Sequence, residues 1–145
     1  AALATAGISW GTLTASSLDL PLSYVRSKPK GYGVGGLVEC KPKENLRTLI
    51  IDDALFTGES AVKAVEALRQ EFSQEIIGII TIVSLSSWEC KENEWEYFKE
   101  NNISLYSLTD YTAILNYSRN INMITDDQRL QLEKYYLNPN TYIFN

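Results

Sequence analysis

At 145 residues, with 45% hydrophobic and 21% charged side chains, the chain has the composition of one globular domain with a buried core. Its net charge of −5 argues against non-specific nucleic-acid binding, and the absence of histidine removes histidine acid–base catalysis and the commonest zinc ligand. The two cysteines, Cys40 and Cys90, form no close-spaced pair and fit free thiols in a reducing cytoplasm, and no apolar run reaches the ~18 residues of a membrane span.

The chain opens on small residues, 1–7, read as a loop. A helix is predicted over residues 8–18, where Gly11, Ala15 and Ser16 allow close approach to a sheet. Residues 22–26 alternate and carry β-formers, so they read as a strand. Residues 27–36, rich in glycine with one proline and two lysines, read as a mobile loop. Residues 37–39 form a short strand, and 41–45 a polar turn around Pro42. Residues 48–51 are a buried strand of the parallel-sheet kind. Val62, Val65, Leu68 and Phe72 then recur at helical spacing. A β-branched strand follows over 76–83, then a helix over 92–101 with Trp95 and Phe98 on one side. Residues 103–106 read as a strand and 110–118 as a helix. Thr125-Asp-Asp-Gln128 is a capping box that opens a last helix, ended by Pro139. Alternating strands and helices predict an α/β fold around a parallel sheet, and no repeat or linker divides residues 1–145.

The most informative stretch is Leu49-Ile-Ile-Asp-Asp-Ala-Leu-Phe-Thr-Gly-Glu-Ser60. An apolar strand runs into two acids, then a small loop, then a helix. Loop amides, the hydroxyls of Thr57 and Ser60 and a helix N-terminus suit a phosphate dianion. Asp52 and Asp53 suit ribose hydroxyls or a divalent metal. Ligands of parallel sheets bind beyond the carboxyl ends of the strands. That rule puts the acids, the phosphate loop and the basic residues Arg26, Lys28 and Lys30 on one rim. The two exposed-charge alternatives, a solvated turn at 52–53 and a solvated basic loop at 26–30, remain open from spacing alone. Trp10, Trp88 and Trp95 follow no motif and read as core or interface residues; the tyrosine-rich end (Tyr135, Tyr136, Tyr142) reads as a docking segment.

The same run resembles the phosphoribosyl-pyrophosphate (PRPP) signature of the type I phosphoribosyltransferases. Residues 24–33, Tyr-Val-Arg-Ser-Lys-Pro-Lys-Gly-Tyr-Gly, resemble the basic flexible loop of the orotate phosphoribosyltransferases, and Ala4-Thr-Ala-Gly-Ile8 their pyrophosphate loop. Tyr106-Ser-Leu-Thr-Asp-Tyr111 and the Asn138-Pro139 stretch resemble the C-terminal part of that family. The resemblance implies a type I phosphoribosyltransferase-like parallel sheet flanked by helices, lacking the N-terminal part of the family fold. It also implies transfer of ribose 5-phosphate from PRPP to orotate with release of pyrophosphate, in UMP synthesis. Mg²⁺ is the implied cofactor, and a cytoplasmic homodimer, with the basic loop reaching the neighbouring site, the implied assembly. Lys30, Asp52 and Asp53 take the catalytic positions. Arg26, Lys28, Tyr32, Ala54, Leu55, Phe56, Thr57, Gly58, Glu59 and Ser60 take the substrate-binding ones, with the metal near Asp52 and Asp53.

Several positions depart from the family pattern. Tyr32 stands where the loop usually has histidine, Cys40 where glycine follows Glu39, and Ala6 where some members have lysine. Phe56 stands where a serine or threonine usually helps to bind orotate, and no arginine appears near Ser86-Ser87. Two further readings therefore stand beside the first: a phosphoribosyltransferase for another nucleobase, and a non-catalytic PRPP- or nucleotide-binding regulator of the same fold.

Overall fold

The computed structural model describes residues 1–29, 36–85 and 92–137, with backbone alone at 92–94. Lys30 and Tyr32, the Ser86-Ser87 region, Trp88, Cys90, Asn138, Pro139 and Tyr142 lie outside the described residues, as does most of the predicted mobile loop. The described strands are β1 (Ala2–Leu3), β2 (Tyr24–Val25), β3 (Val38–Glu39), β4 (Arg47–Leu55), β5 (Glu75–Ser84) and β6 (Ser104–Asp110). They form one six-stranded sheet in the order β3-β2-β1-β4-β5-β6. All neighbouring pairs are parallel except the edge pair β2–β3. The fold is α/β, as expected, with that edge as a correction to an all-parallel sheet.

The opening residues are a second correction. Ala2 and Leu3 are not part of a loop; they are buried in mid-sheet, paired to Tyr24 and Val25 on one side and to Ile51 on the other. The predicted strands at 22–26 and 37–39 shorten to two residues each, because β1 offers β2 only two partners. Those at 48–51 and 103–106 lengthen, since β5 supplies ladder partners as far as Ser84.

The helices are α1 (Gly7–Ser17), α2 (Glu59–Phe72), α3 (Glu92–Glu100), α4 (Tyr111–Asn120) and α5 (Asp126–Leu137). The core lies between the sheet and α2 with α3: Ile50, Ile79, Val65 and Leu68 are almost fully enclosed, and Phe98 and Ile103 join them. Each such aliphatic side chain contributes about 1.5–3 kcal/mol by leaving water. Val65 and Leu68 were legible as an apolar stripe. Ala61, Ala64 and Ala67, also buried, were not, because alanine is a weak hydrophobic signal; they set how close α2 lies to the sheet.

On the opposite sheet face α1 packs over β1 and β4 with glycines, Gly7 and Gly11 being its buried residues. A Cβ on Gly11 would fall 2.6 Å from the Ala2 Cβ, so only glycine permits this approach. Ser16, also expected at the contact, is exposed. The outer side of α1 presents Trp10 and Leu13, with Leu18 and Leu20 beyond its end. Trp10 and Trp95 are thus not core residues. The capping box forms reciprocally: the Thr125 N–H donates to Gln128 Oε1 (2.9 Å) and the Gln128 N–H to Thr125 Oγ1 (3.2 Å). Tyr136 stacks on Tyr111 at 4.3 Å, docking α5 on α4. Among the described residues no helix is long and apolar enough to cross a membrane.

Candidate active site

The carboxyl ends of β1, β2 and β4 converge with the first turns of α2. At β4 the strand does not stop before the acids. Asp52 pairs with Thr81, and Ala54 and Leu55 with Val83 and Ser84. The acidic pair therefore sits on rigid sheet, not on the loop expected from the sequence. Asp52 and Asp53 are half-buried, and the Asp53 N–H donates to Asp52 Oδ1 at 2.9 Å. Burial, with Asp53 adding to it, pushes the Asp52 carboxyl from 3.8 up to about 7, although that N–H bond pulls the other way. Among the described residues no cation forms an ion pair with Asp52 or Asp53. Two clustered acids, one held partly protonated by burial, are suited to receive a cation.

Downstream, Gly58 turns the chain with φ of 86°, a left-handed conformation that side chains disfavour, and caps α2. The Glu59 N–H reaches Thr57 Oγ1 at 3.4 Å, and Ser60 is exposed at the helix start. This arrangement has the amide donors and helix pole of a phosphate cradle. Phe56 is about half exposed, at 50%. The Leu55 side chain lies in the core and its carbonyl accepts from the Leu85 N–H at 2.7 Å. Ala54 is half-buried within the strand.

From the β2 side come Arg26, Ser27 and Lys28. The Arg26 N–H donates to the Leu37 carbonyl (2.9 Å), its Nε to the Lys28 carbonyl (3.3 Å), and its guanidinium lies 3.6 Å from Glu39 Oε1. The Leu37 N–H in turn donates to Glu71 Oε1 at 2.8 Å. Both ends of the basic segment are thereby tied to β3 and to the end of α2. Lys28 is exposed. The loop before α1, residues 4–6, contains a cis Ala4–Thr5 peptide bond.

A pocket of about 100 Å³ lies between the 4–6 loop, the end of β2 and the first turns of α2, lined by Ala4, Arg26, Ser27, Ser60 and Lys63 over an apolar floor; Asp52 and Asp53 do not line it. Arg26 and Ser60 were expected; Ser27 and Lys63 were not. Helical spacing held the signal for Lys63, which lies three residues after Ser60 and four after Glu59, on the same side of α2. A cavity of about 640 Å³ opens at the other end of the sheet, between α1, residues 40–43 and the start of β4. It holds none of the expected site residues. Cys40, which lines it, is a free thiol.

The Asp52 carboxyl makes a testable contribution to stability. Its folded pKa lies above its unfolded value, so between about pH 4 and 7 the folded state holds the extra proton. Stability from this group is therefore lost as pH rises through that window. Asp52→Asn is expected to remove the loss and to be the more stable protein at pH 8. With partial exposure allowed for, the gain is on the order of 1 kcal/mol, a few degrees in Tm. Thermal melts from pH 4 to 8 check this; parallel curves for the two proteins would remove the burial argument.

A glycine turn and helix start after a central parallel strand, next to two acids held within that strand, place the chain among α/β proteins with a candidate site at the strand ends. The family model of the phosphoribosyl transferase domain matches residues 1–111, and the chain belongs to that family. The orotate phosphoribosyltransferase of Bacillus mycoides is 35% identical over 139 residues, covering 96% of this chain and 64% of the relative. That of Cytophaga hutchinsonii is 37% identical with the same coverage. The chain thus spans just under two thirds of the length of these curated relatives. Among solved structures, the orotate phosphoribosyltransferase of Aeropyrum pernix superposes with a TM-score of 0.66 at 27% identity, covering 86% of this chain and 64% of that one. Leishmania donovani UMP synthase shares the fold, with a TM-score of 0.73 at 24% identity, over 93% of this chain and 28% of that one.

Proposed function

We propose that this chain carries the PRPP site of an orotate phosphoribosyltransferase, which transfers ribose 5-phosphate to orotate and releases pyrophosphate. The carrying observation is the convergence of Asp52 and Asp53, the 57–60 turn and Arg26 at the strand ends. The names of the relatives support orotate as the base. Cleavage of the C1–O bond builds positive charge on the ribose and negative charge on the pyrophosphate. Positioning and charge compensation are the main needs, and a chain without histidine can meet them.

In this reading the amides at 57–60 and the hydroxyls of Thr57 and Ser60 hold the 5′-phosphate. Asp52 and Asp53 accept from the ribose hydroxyls, and Arg26, Lys28 and Lys30 compensate the pyrophosphate. Among the described residues no group of three or more His, Cys, Asp or Glu side chains could enclose a metal. An acidic pair on its own fits Mg²⁺ shared with ligand oxygens, not an all-protein cage. When bound with PRPP, Mg²⁺ supplies neutralisation of the diphosphate. The exposed apolar side of α1 supports a homodimer, and the reading carries with it a cytoplasmic location.

The test is orotate-dependent pyrophosphate release from Mg²⁺–PRPP by the purified protein. Release with orotate is expected; PRPP binding without release under any base would leave only the regulatory reading.

One observation favours a second base. Phe56 presents a half-exposed ring where the family resemblance implies a hydroxyl, and it cannot donate to an anionic base. Phe56→Ser is expected to raise kcat/KM for orotate. One hydrogen bond contributes about 0.5–1.5 kcal/mol, or up to ~3 to a charged group, so the gain lies between a few-fold and roughly a hundred-fold. Comparing orotate with neutral nucleobases in both proteins checks it. Efficient orotate use by the unmodified protein, with no gain on substitution, would show that other residues complete the pocket.

A further inference from the structure

Glu59 is an awkward neighbour for a phosphate. It stands in the first turn of α2, directly after the left-handed Gly58. An acid there interacts well with the helix pole but repels a dianion seeking the same pole. Lys63 answers it: its Nζ lies 2.6 Å from Glu59 Oε1. The same lysine lines the pocket shared with Arg26, Ser27, Ser60 and Ala4, between the loop at residues 4–6 and the 57–60 turn. Two cationic side chains from different segments, Arg26 just after β2 and Lys63 on α2, thus border one small pocket with an apolar floor. An exposed i,i+4 ion pair adds little to stability. Placed beside a phosphate cradle, it changes the charge that an incoming polyanion meets.

We propose that Lys63 is a substrate-binding residue: it neutralises Glu59 and, with Arg26, supplies positive charge to a phosphate group of PRPP in this pocket. The proposal deepens the PRPP reading above and rests on it. It adds a cation from the second turn of α2, so the positive side of the site does not depend on the 26–30 segment alone. It also explains how an acid is tolerated in the phosphate turn.

The experiment is calorimetric titration of Mg²⁺–PRPP into the whole chain and into four variants. Lys63→Ala is expected to weaken binding about tenfold and to flatten its dependence on salt, because one screened attraction is gone. Its thermal midpoint without ligand should stay with that of the parent, as the Lys63 side chain is 60% exposed. Lys63→Arg, which keeps the charge, should bind within about twofold of the parent. Glu59→Gln serves as the reference against which the double variant is compared. Glu59→Gln combined with Lys63→Ala should recover part of the loss, since one negative charge beside the pocket is gone. Binding by Lys63→Ala within about twofold of the parent, or no rescue by Lys63→Arg, would overturn the assignment while leaving the PRPP reading intact. A parent that binds no PRPP would overturn both.

Discussion

Lys30→Ala is expected to lower kcat by about a hundred- to a thousand-fold while leaving the melting temperature unchanged. Removing one preformed electrostatic contact to a developing anion costs roughly that much in other active sites. In the proposed reaction the charge on the leaving pyrophosphate grows as the C1–O bond breaks, so a lysine that compensates it would act more strongly on the transition state than on bound PRPP. The loss should therefore appear mainly in kcat, with KM for PRPP changing less. Steady-state kinetics with varied PRPP, beside a thermal melt, separate the two. A turnover near that of the parent would take Lys30 out of the catalytic role, and the weight would pass to Arg26 and Lys63.

Gly7→Val is expected to damage fold and site together. A Cβ at position 7 would fall 2.8 Å from the Ile51 carbonyl oxygen and 3.0 Å from both Asp52 Cα and Asp52 Oδ1. Two of those three atoms are backbone of the central strand, so the start of α1 must lift off β4. Overpacking of this kind costs about 1–3 kcal/mol, and a β-branched residue adds further crowding. The expected fall in Tm is on the order of 10 °C. The lift also carries the loop at residues 4–6 and the Asp52 carboxyl out of place, so PRPP binding should weaken by more than about tenfold. Gly7→Ala should show the same effects in smaller measure. If Gly7→Val melts within about 2 °C of the parent, the close contact between α1 and β4 is relaxed in solution.

The candidate site was legible where it is contiguous. Apolar residues, two acids, a glycine turn and a helix start lie within Leu49 to Ser60. Their order alone announces a strand end, a phosphate loop and a helix pole, and the helix beyond was readable from Val65 and Leu68. The capping box at Thr125 was legible for the same reason: partners three residues apart meet whatever the rest of the chain does.

Other features depend on partners far along the chain. Ala2 and Leu3 look like loop residues until Val25 and Ile51 are seen on either side. The acids look like loop residues until β5 extends the ladder past them. The sequence alone determined that a largely parallel α/β sheet would present two acids and a glycine turn at the end of one strand and Arg26 and Lys28 after another, because residue type and local spacing decide those. Only the tertiary structure decided that β3 runs antiparallel, that Asp52 is buried enough to hold a proton near pH 7, that Gly7 leaves no room for a side chain, and that Lys63 shares a pocket with Arg26. Each of these follows from which distant segments lie side by side. Burial, dielectric environment and close approach belong to that arrangement and leave no mark in the spacing of neighbouring residues.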